Sequence, residues 1–368
     1  PGTSKTIIEI ETDEGIIGLG ESPSWDCATV INKDMGPELI GHDPLDITGC
    51  EMQCVPEWVV VQNTDDASVV KAFGGIEMAL WDIRGKAWDQ PLYKLLGGAV
   101  REEIPFTEYF CFRIEKNGIG GERTPEAVAD YCMKMREEHG ASMFEGKLSL
   151  GDPHLEIATV KMLRNTLGDK DMIRLDSNMS WSISTAKHVL REIEPYNIRN
   201  YEDPVSTFEQ MAQLRKNCAI PFSTHVPDLT RAVALGVPDN IVTNFAVLGG
   251  IRRAIRFIGA CEAMGVGFWC YSGDAGVCTA AYLHVVAATE WIHEPSQSLF
   301  RWQTDDVIEQ GPFRQVNNVI PVPEGPGLGV TLSKKGLKRC HQRFVDDGPI
   351  NHFVNPANPG RFTRLPRD

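Results

Sequence analysis

From about residue 104 the chain repeats one unit: a short apolar run, a polar break, a longer amphipathic stretch, and another short apolar run. That alternation is the mark of parallel β-strands joined by crossover helices. The apolar runs predict strands at 104–110, 142–148, 172–176, 198–202, 220–224, 240–245, 266–271 and 298–302. Amphipathic stretches at 124–139, 153–167, 183–194, 206–217, 249–264 and 276–289 predict the intervening helices. Eight such strands suit a closed (β/α) barrel of the TIM type, of roughly 200 residues. A doubly wound open sheet would also alternate, but no glycine-rich phosphate loop follows any of the runs, which argues against nucleotide binding.

The ends of the chain follow a different pattern. KTIIEIETDEGIIGLGES is two β-rich runs joined by Asp13-Glu14-Gly15, a hairpin signal. In GGIEMALWDIRGKAWDQPLYKLLGG, the residues Ile76, Ala79, Leu80, Ile83 and Ala87 make one apolar helical face before Pro91 stops it. We therefore expect an α+β capping domain over 1–103, the barrel over 104–304, and a segment over 305–368 whose IPVPEGPGLGV returns to the first domain. The opening PGTSKTIIEIETDEG looks like mid-structure, so native residues are expected before Pro1.

Composition excludes some partners. A formal charge of −14 and a pI near 5.2 give no attractive field for nucleic acid or an anionic membrane. No apolar stretch approaches the roughly 20 residues needed to span a bilayer. The ten cysteines are scattered without a CxxC, which fits buried thiols in a reducing cytoplasm rather than a disulfide or zinc framework.

Chemistry in such a barrel belongs at the carboxyl ends of its strands. There the apolar runs give way to Asp176 in IRLDSN, Glu202 and Asp203 in IRNYEDP, and His225 in IPFSTHVPD, each about one βα unit from the last. Two carboxylates and an imidazole stacked on adjacent strands can hold a divalent cation. Oxygen-rich coordination favours Mg²⁺, and the nitrogen admits Mn²⁺ or Zn²⁺. Each residue also has an ordinary reading: Asp176 as a helix cap, Glu202 as an arginine partner, His225 as a satisfied loop histidine. In MFEGKLSL, Glu145 and Lys147 share a face at period two. A lysine beside a cation loses proton affinity and becomes a base, although a surface salt bridge gives the same pattern. FWCYSGDAG puts Tyr271 and Asp274 at the same rim, as proton donor or pocket lining.

Taken in order, EIETDEGIIGLGE, the GGIEMALWDIRGKAWDQPLYKLLGG helix, RLDSN, NYEDP and PGLGV resemble the enolase superfamily over nearly the whole chain. LDSNMSW and STHV are most similar to the matching segments of the glucarate dehydratase group. The resemblance implies a capping domain on a modified barrel. It also implies an Mg²⁺-dependent reaction in which a base removes the proton alpha to a substrate carboxylate through an enediolate. By position it assigns Asp176 and Glu202 as metal ligands, Lys147 as the second strand-two lysine, and Tyr109 and Asn178 as substrate contacts. Arg361 or Arg364 matches the arginine that holds a distal carboxylate.

The departures matter equally. The third ligand position falls on His225, with Asp228 as fallback. The first lysine of the Lys-x-Lys pair falls on Glu145, which should raise the Lys147 pKa relative to a paired lysine. The superfamily's His-Asp dyad falls on Tyr271 and Asn244, so the second base needed for racemisation is missing. The expected activity is dehydration of an aldarate or aldonate with Lys147 as base and Tyr271 as acid. A cycloisomerase using the same lysine, or a non-catalytic acid-sugar-binding relative, is the alternative. The expected partner is a small carboxylate, and the resemblance implies a homo-oligomer, the family commonly forming even-numbered assemblies.

Overall fold

The computed structural model describes residues 4–55, 66–115, 118–148, 152–271 and 274–349. Strands β1 (Thr6–Glu11) and β2 (Ile17–Ser22) form the expected antiparallel hairpin, with Ile7 opposite Glu21. Gly15 closes the turn at φ +77°, a left-handed conformation that a side chain would disfavour. The hairpin lies directly on the helix Asp66–Ala87. A Cβ on Gly20 would stand 2.0 Å from the Gly75 carbonyl oxygen, so only glycine permits that approach. Within this helix Asp82 is completely buried and accepts from Leu19 N (2.8 Å) and Leu328 N (2.7 Å). One carboxylate thus ties the hairpin, the helix and the PGLGV turn together.

Strand β3 (Glu103–Pro105) leads into the barrel sheet. That sheet runs in sequence order through β4 (Glu108–Cys111), β5 (Met143–Lys147), β6 (Met172–Asp176), β7 (Asn200–Glu202), β8 (Phe222–Thr224), β9 (Asn240–Thr243) and β10 (Gly267–Cys270). Every neighbouring pair is parallel. Most of the helices between them start on side-chain caps, such as Thr124 for Pro125–His139 and Ser182 for Ile183–Ile193, which satisfy amides the helix cannot.

The eighth position departs from expectation. Closure comes from Ser296 and Gln297, which bridge in parallel to Phe106 and Tyr271, while the predicted strand at 298–302 contains the 3₁₀ turn Phe300–Trp302. The apolar SLFRW run is buried by a different route. Phe300 packs edge-on against Phe106 (5.0 Å) and Arg301 pairs with Glu108 (3.0 Å), so the chain has already turned off the barrel wall. Strand β11 (Val319–Pro321) then pairs antiparallel with β3.

Two cores hold this together. Outward faces of β4 to β8 pack with the helices of that side in one cluster. The second unites the hairpin and the Asp66–Ala87 helix with β9, β10 and the helices Ile251–Met264 and Gly276–Ala288. The Gly276–Ala288 helix is apolar all round and almost wholly buried, because it is covered on both sides. Among the described residues no helix is long and apolar enough to cross a membrane. All ten cysteines are free thiols.

Candidate active site

Register assembles the site. Lys147 stands opposite Asp176, and Asp176 opposite Glu202, so three adjacent strands end at one level. His225 follows β8 on the next strand. Ligand atoms of Asp176, Glu202 and His225 lie within 4.8 Å of one another. The ordinary readings fail for the carboxylates: Ser182 caps the helix that Asp176 might have capped, and Glu202 faces His225 rather than an arginine. Asp228, the fallback ligand, caps the helix Leu229–Leu235 through Arg231 N (3.0 Å) and lies outside the trio.

The donor set fits a divalent cation. Glu202 is buried, and its carboxylate oxygens have no partner besides His225 Nε2, which lies 2.7 Å from Oε1. His225 Nδ1 lies 3.0 Å from the Val242 carbonyl, which can only accept, so Nδ1 donates there and Nε2 faces the carboxylates. Burial, reinforced by the Asp176 charge, pushes the Glu202 carboxyl above its ordinary range. For His225 burial acts to lower the pKa, but Glu202 and Asp176 outweigh it and hold the imidazole at about 10. The pocket thus attracts positive charge strongly, the condition an ion would meet.

Lys147 donates to Asp176 at the mouth of the barrel. Burial pulls its pKa down, yet the Asp176 and Glu202 charges more than reverse this and raise it. Glu145 is not the partner expected. One layer deeper it pairs with Arg174 (2.8 Å) and accepts from Thr107 (3.0 Å) and Gln297 (2.7 Å), all buried. Arg174, in turn, stacks over Trp269 at 4.4 Å. The period-two face therefore carries Glu145 into the lumen floor and Lys147 to its rim.

Across the mouth, Asn244 Nδ2 donates to the Tyr271 hydroxyl at 3.1 Å, and the Tyr271 ring meets His225 edge-on at 5.0 Å. Burial and the Asp274 charge raise the Tyr271 phenol to about 12, with Lys5 opposing them. Tyr109 is buried in the lumen, where burial and the Asp176 charge push its phenol well up. Asn178 does not continue the strand face. It is exposed in a left-handed turn (φ +53°), with its backbone N–H donating to Asp176 Oδ1 at 2.7 Å. Asp274 turns away from the trio toward Lys5 and Tyr282. Arg361 and Arg364 lie outside the described residues. Arg174 and Lys5 escaped sequence reasoning, and Asp203 was placed at a strand end but given no role. Asp203, buried beside Glu202 with one oxygen unpartnered, was signalled by the doubled acid in YEDP.

The chain matches family models along most of its length. Residues 127–336 fit the enolase C-terminal domain-like family, and residues 3–97 the N-terminal domain of mandelate racemase and muconate lactonizing enzyme. A probable glucarate dehydratase of Streptomyces coelicolor is 27% identical over 94% of this chain and 86% of its own. Chloromuconate cycloisomerase of Pseudomonas putida is 26% identical over 91% and 90%. The solved structure of an enolase from Pseudomonas fluorescens, with bound magnesium, potassium and tartrate, superposes with a TM-score of 0.83 at 25% identity, covering 94% of this chain and 87% of that one. Barrel, cap and family matches agree: this chain belongs to the enolase superfamily, in its mandelate racemase and muconate lactonizing branch, near the glucarate dehydratase group.

Proposed function

We propose that the protein is a divalent-cation-dependent dehydratase of an acid sugar, an aldonate or aldarate. The carrying observation is Lys147 in contact with Asp176, level with Glu202 and His225, with a neutral phenol, Tyr271, across the mouth. Asp176, Glu202 and His225 would hold Mg²⁺, with Mn²⁺ also admitted by the imidazole. When bound, the ion would draw the substrate carboxylate and stabilise negative charge developing on it.

The remaining chemistry falls to the chain's own groups. Lys147 Nζ takes the proton alpha to the carboxylate once the charge of Asp176 and Glu202 is compensated and no longer holds its own proton. As the α–β double bond forms, the β C–O bond breaks, and the hydroxyl leaves as water with the proton of Tyr271. Its high pKa keeps that phenol protonated near neutral pH. The enol product then tautomerises to a 2-keto-3-deoxy acid. Asn244 orients the phenol, Tyr109 lines the lumen, and Asn178 stands at the rim. The Asn244–Tyr271 pair offers no base on the opposite face, which disfavours racemisation.

A screen of aldonates and aldarates with Mg²⁺, following 2-keto-3-deoxy product, tests the reading. Product is expected from wild type and not from Lys147→Ala; product surviving that change overturns the assignment. Since Lys147 alone would suffice for ring chemistry, and a cycloisomerase is among the relatives, product of unchanged mass would favour cycloisomerisation instead.

A further inference from the structure

The open end of the capping hairpin grips the rim that carries Tyr271. Lys5, just before β1, donates to Asp274, while Glu21 on β2 accepts from Ala275 N (2.7 Å) and Cys278 N (2.9 Å) at the start of the Gly276–Ala288 helix. Asp274 also accepts from the Tyr282 hydroxyl at 2.8 Å. Asp274, Tyr282 and Glu21 are buried, and Lys5 is nearly so. Ile7 and Glu21 are paired across the hairpin, which fixes the spacing of cation and anion. One strand thus presents a positive charge and its neighbour a negative one, each matched to a complementary group within a few residues of Tyr271. Lys5 and Asp274 both act electrostatically on the Tyr271 hydroxyl.

We propose that Lys5 is a positioning residue: by clamping Asp274 from the capping strand, it sets the Tyr271 hydroxyl over the reacting carbon, so that proton donation requires a docked cap. This rests on the reading of Tyr271 as the acid. Lys147, Asp176, Glu202 and His225 belong to strands the clamp does not touch, so the clamp bears on elimination more than on removal of the α-proton.

The test uses the full chain with Mg²⁺ in deuterium oxide, with glucarate and galactonate as probes, following both deuterium entry at the α-carbon and 2-keto-3-deoxy product. Lys5→Met is expected to lower the ratio of elimination to exchange by at least about tenfold, the scale of a misplaced catalytic group, and Lys5→Arg to restore it. A merely stabilising role would lower both rates together and leave the ratio unchanged, which would overturn the proposal. Independently of substrate, backbone amides of Ala275 and Cys278 are expected to exchange hydrogen faster in Lys5→Met than in wild type or Lys5→Arg; equal rates overturn the clamp. Should Lys5→Met fail to fold, Asp274→Asn removes the charge that Lys5 binds while keeping an acceptor for Tyr282, and it must produce the same two changes. A wild type that neither exchanges nor eliminates overturns the dehydratase reading, and the amide rates still decide the clamp.

Discussion

The β5 to β8 side of the barrel and the β9 to β10 side stand on different cores. Lys147, Asp176, Glu202 and His225 are carried by strands whose outward faces pack only with barrel helices. Asn244 and Tyr271 come from strands that share one core with the hairpin and the Asp66–Ala87 helix. The first side carries the lysine and carboxylates proposed as base and ligands; the second carries Asn244 and Tyr271, hydrogen-bonded to each other. On the proposed roles, the cation-binding, proton-removing end would be fixed by the barrel alone, while the proton-donating end would be shaped where cap and barrel meet. If so, the two sides should fail differently.

The largest effect is expected on the first side. Lys147→Ala should reduce α-proton exchange by about 10³-fold, within the range of a lost general base, whether or not elimination follows. Deuterium incorporation measured by NMR checks it. Retained exchange in this variant would move the base elsewhere and dissolve the contrast between the two sides.

Next comes the cation. Glu202→Gln should weaken Mg²⁺ binding by at least about 100-fold, since even an outer-shell partner can cost that much. The pH dependence has a definite sign. His225 is raised from 6.5 to about 10 in the folded protein. Without metal, its stabilising contribution is therefore complete below pH 6.5 and lost as pH rises through about 10. A cation needs the neutral imidazole, so Mg²⁺ affinity should strengthen over the same window and binding should release a proton. Calorimetry in buffers of different ionisation enthalpy reads that release. Its disappearance in His225→Asn would identify the source, and its persistence would exclude His225 as a ligand.

Sequence and structure part company for physical reasons. Strand alternation made Asp176, Glu202 and His225 legible, because a parallel sheet in sequence order needs no long-range information to align its strand ends. Asn178, assigned by resemblance as a substrate contact, stands off the strand face because β6 stops at Asp176 and the chain turns left-handed there. The closing segment was shifted to 298–302 because apolar content does not distinguish a wall strand from a turn packed under Phe106. Glu145 was matched with Lys147 by spacing along one strand, whereas its partner Arg174 lies across the ladder. Lys5 and Glu21 carry no local signal at all, since their partners are more than 250 residues away and depend on how the cap docks.

On the second side, Tyr271→Phe keeps the ring packed against His225 and removes only the hydroxyl. Elimination should fall by about 10²-fold, the lower range for a general acid, while deuterium exchange continues. Equal loss of both would mean that the phenol serves proton removal too, and the division between barrel and cap would have to be redrawn. Asn244→Ala should give the same imbalance more weakly, because the phenol would lose its 3.1 Å donor but keep its place.

The smallest effect on the reaction is expected from Glu145→Gln, and it tests whether the lumen floor speaks to the rim. The pair with Arg174 is fully buried, and two of the guanidinium nitrogens already lack a partner. Removing the opposing charge should cost about 3–5 kcal/mol of stability, visible as a lowered Tm. Glutamine can still accept from Thr107 and so hold the layer's shape. Asp176 and Glu202, rather than Glu145, outweigh burial in setting the proton affinity of Lys147. The pH profile of deuterium exchange should therefore move by less than about half a unit, equivalent to well under 1 kcal/mol at the base. A larger downward shift of the Lys147 limb would show that the acid at the first position of the Glu-x-Lys pair tunes the base directly, and the floor would then belong to the catalytic side.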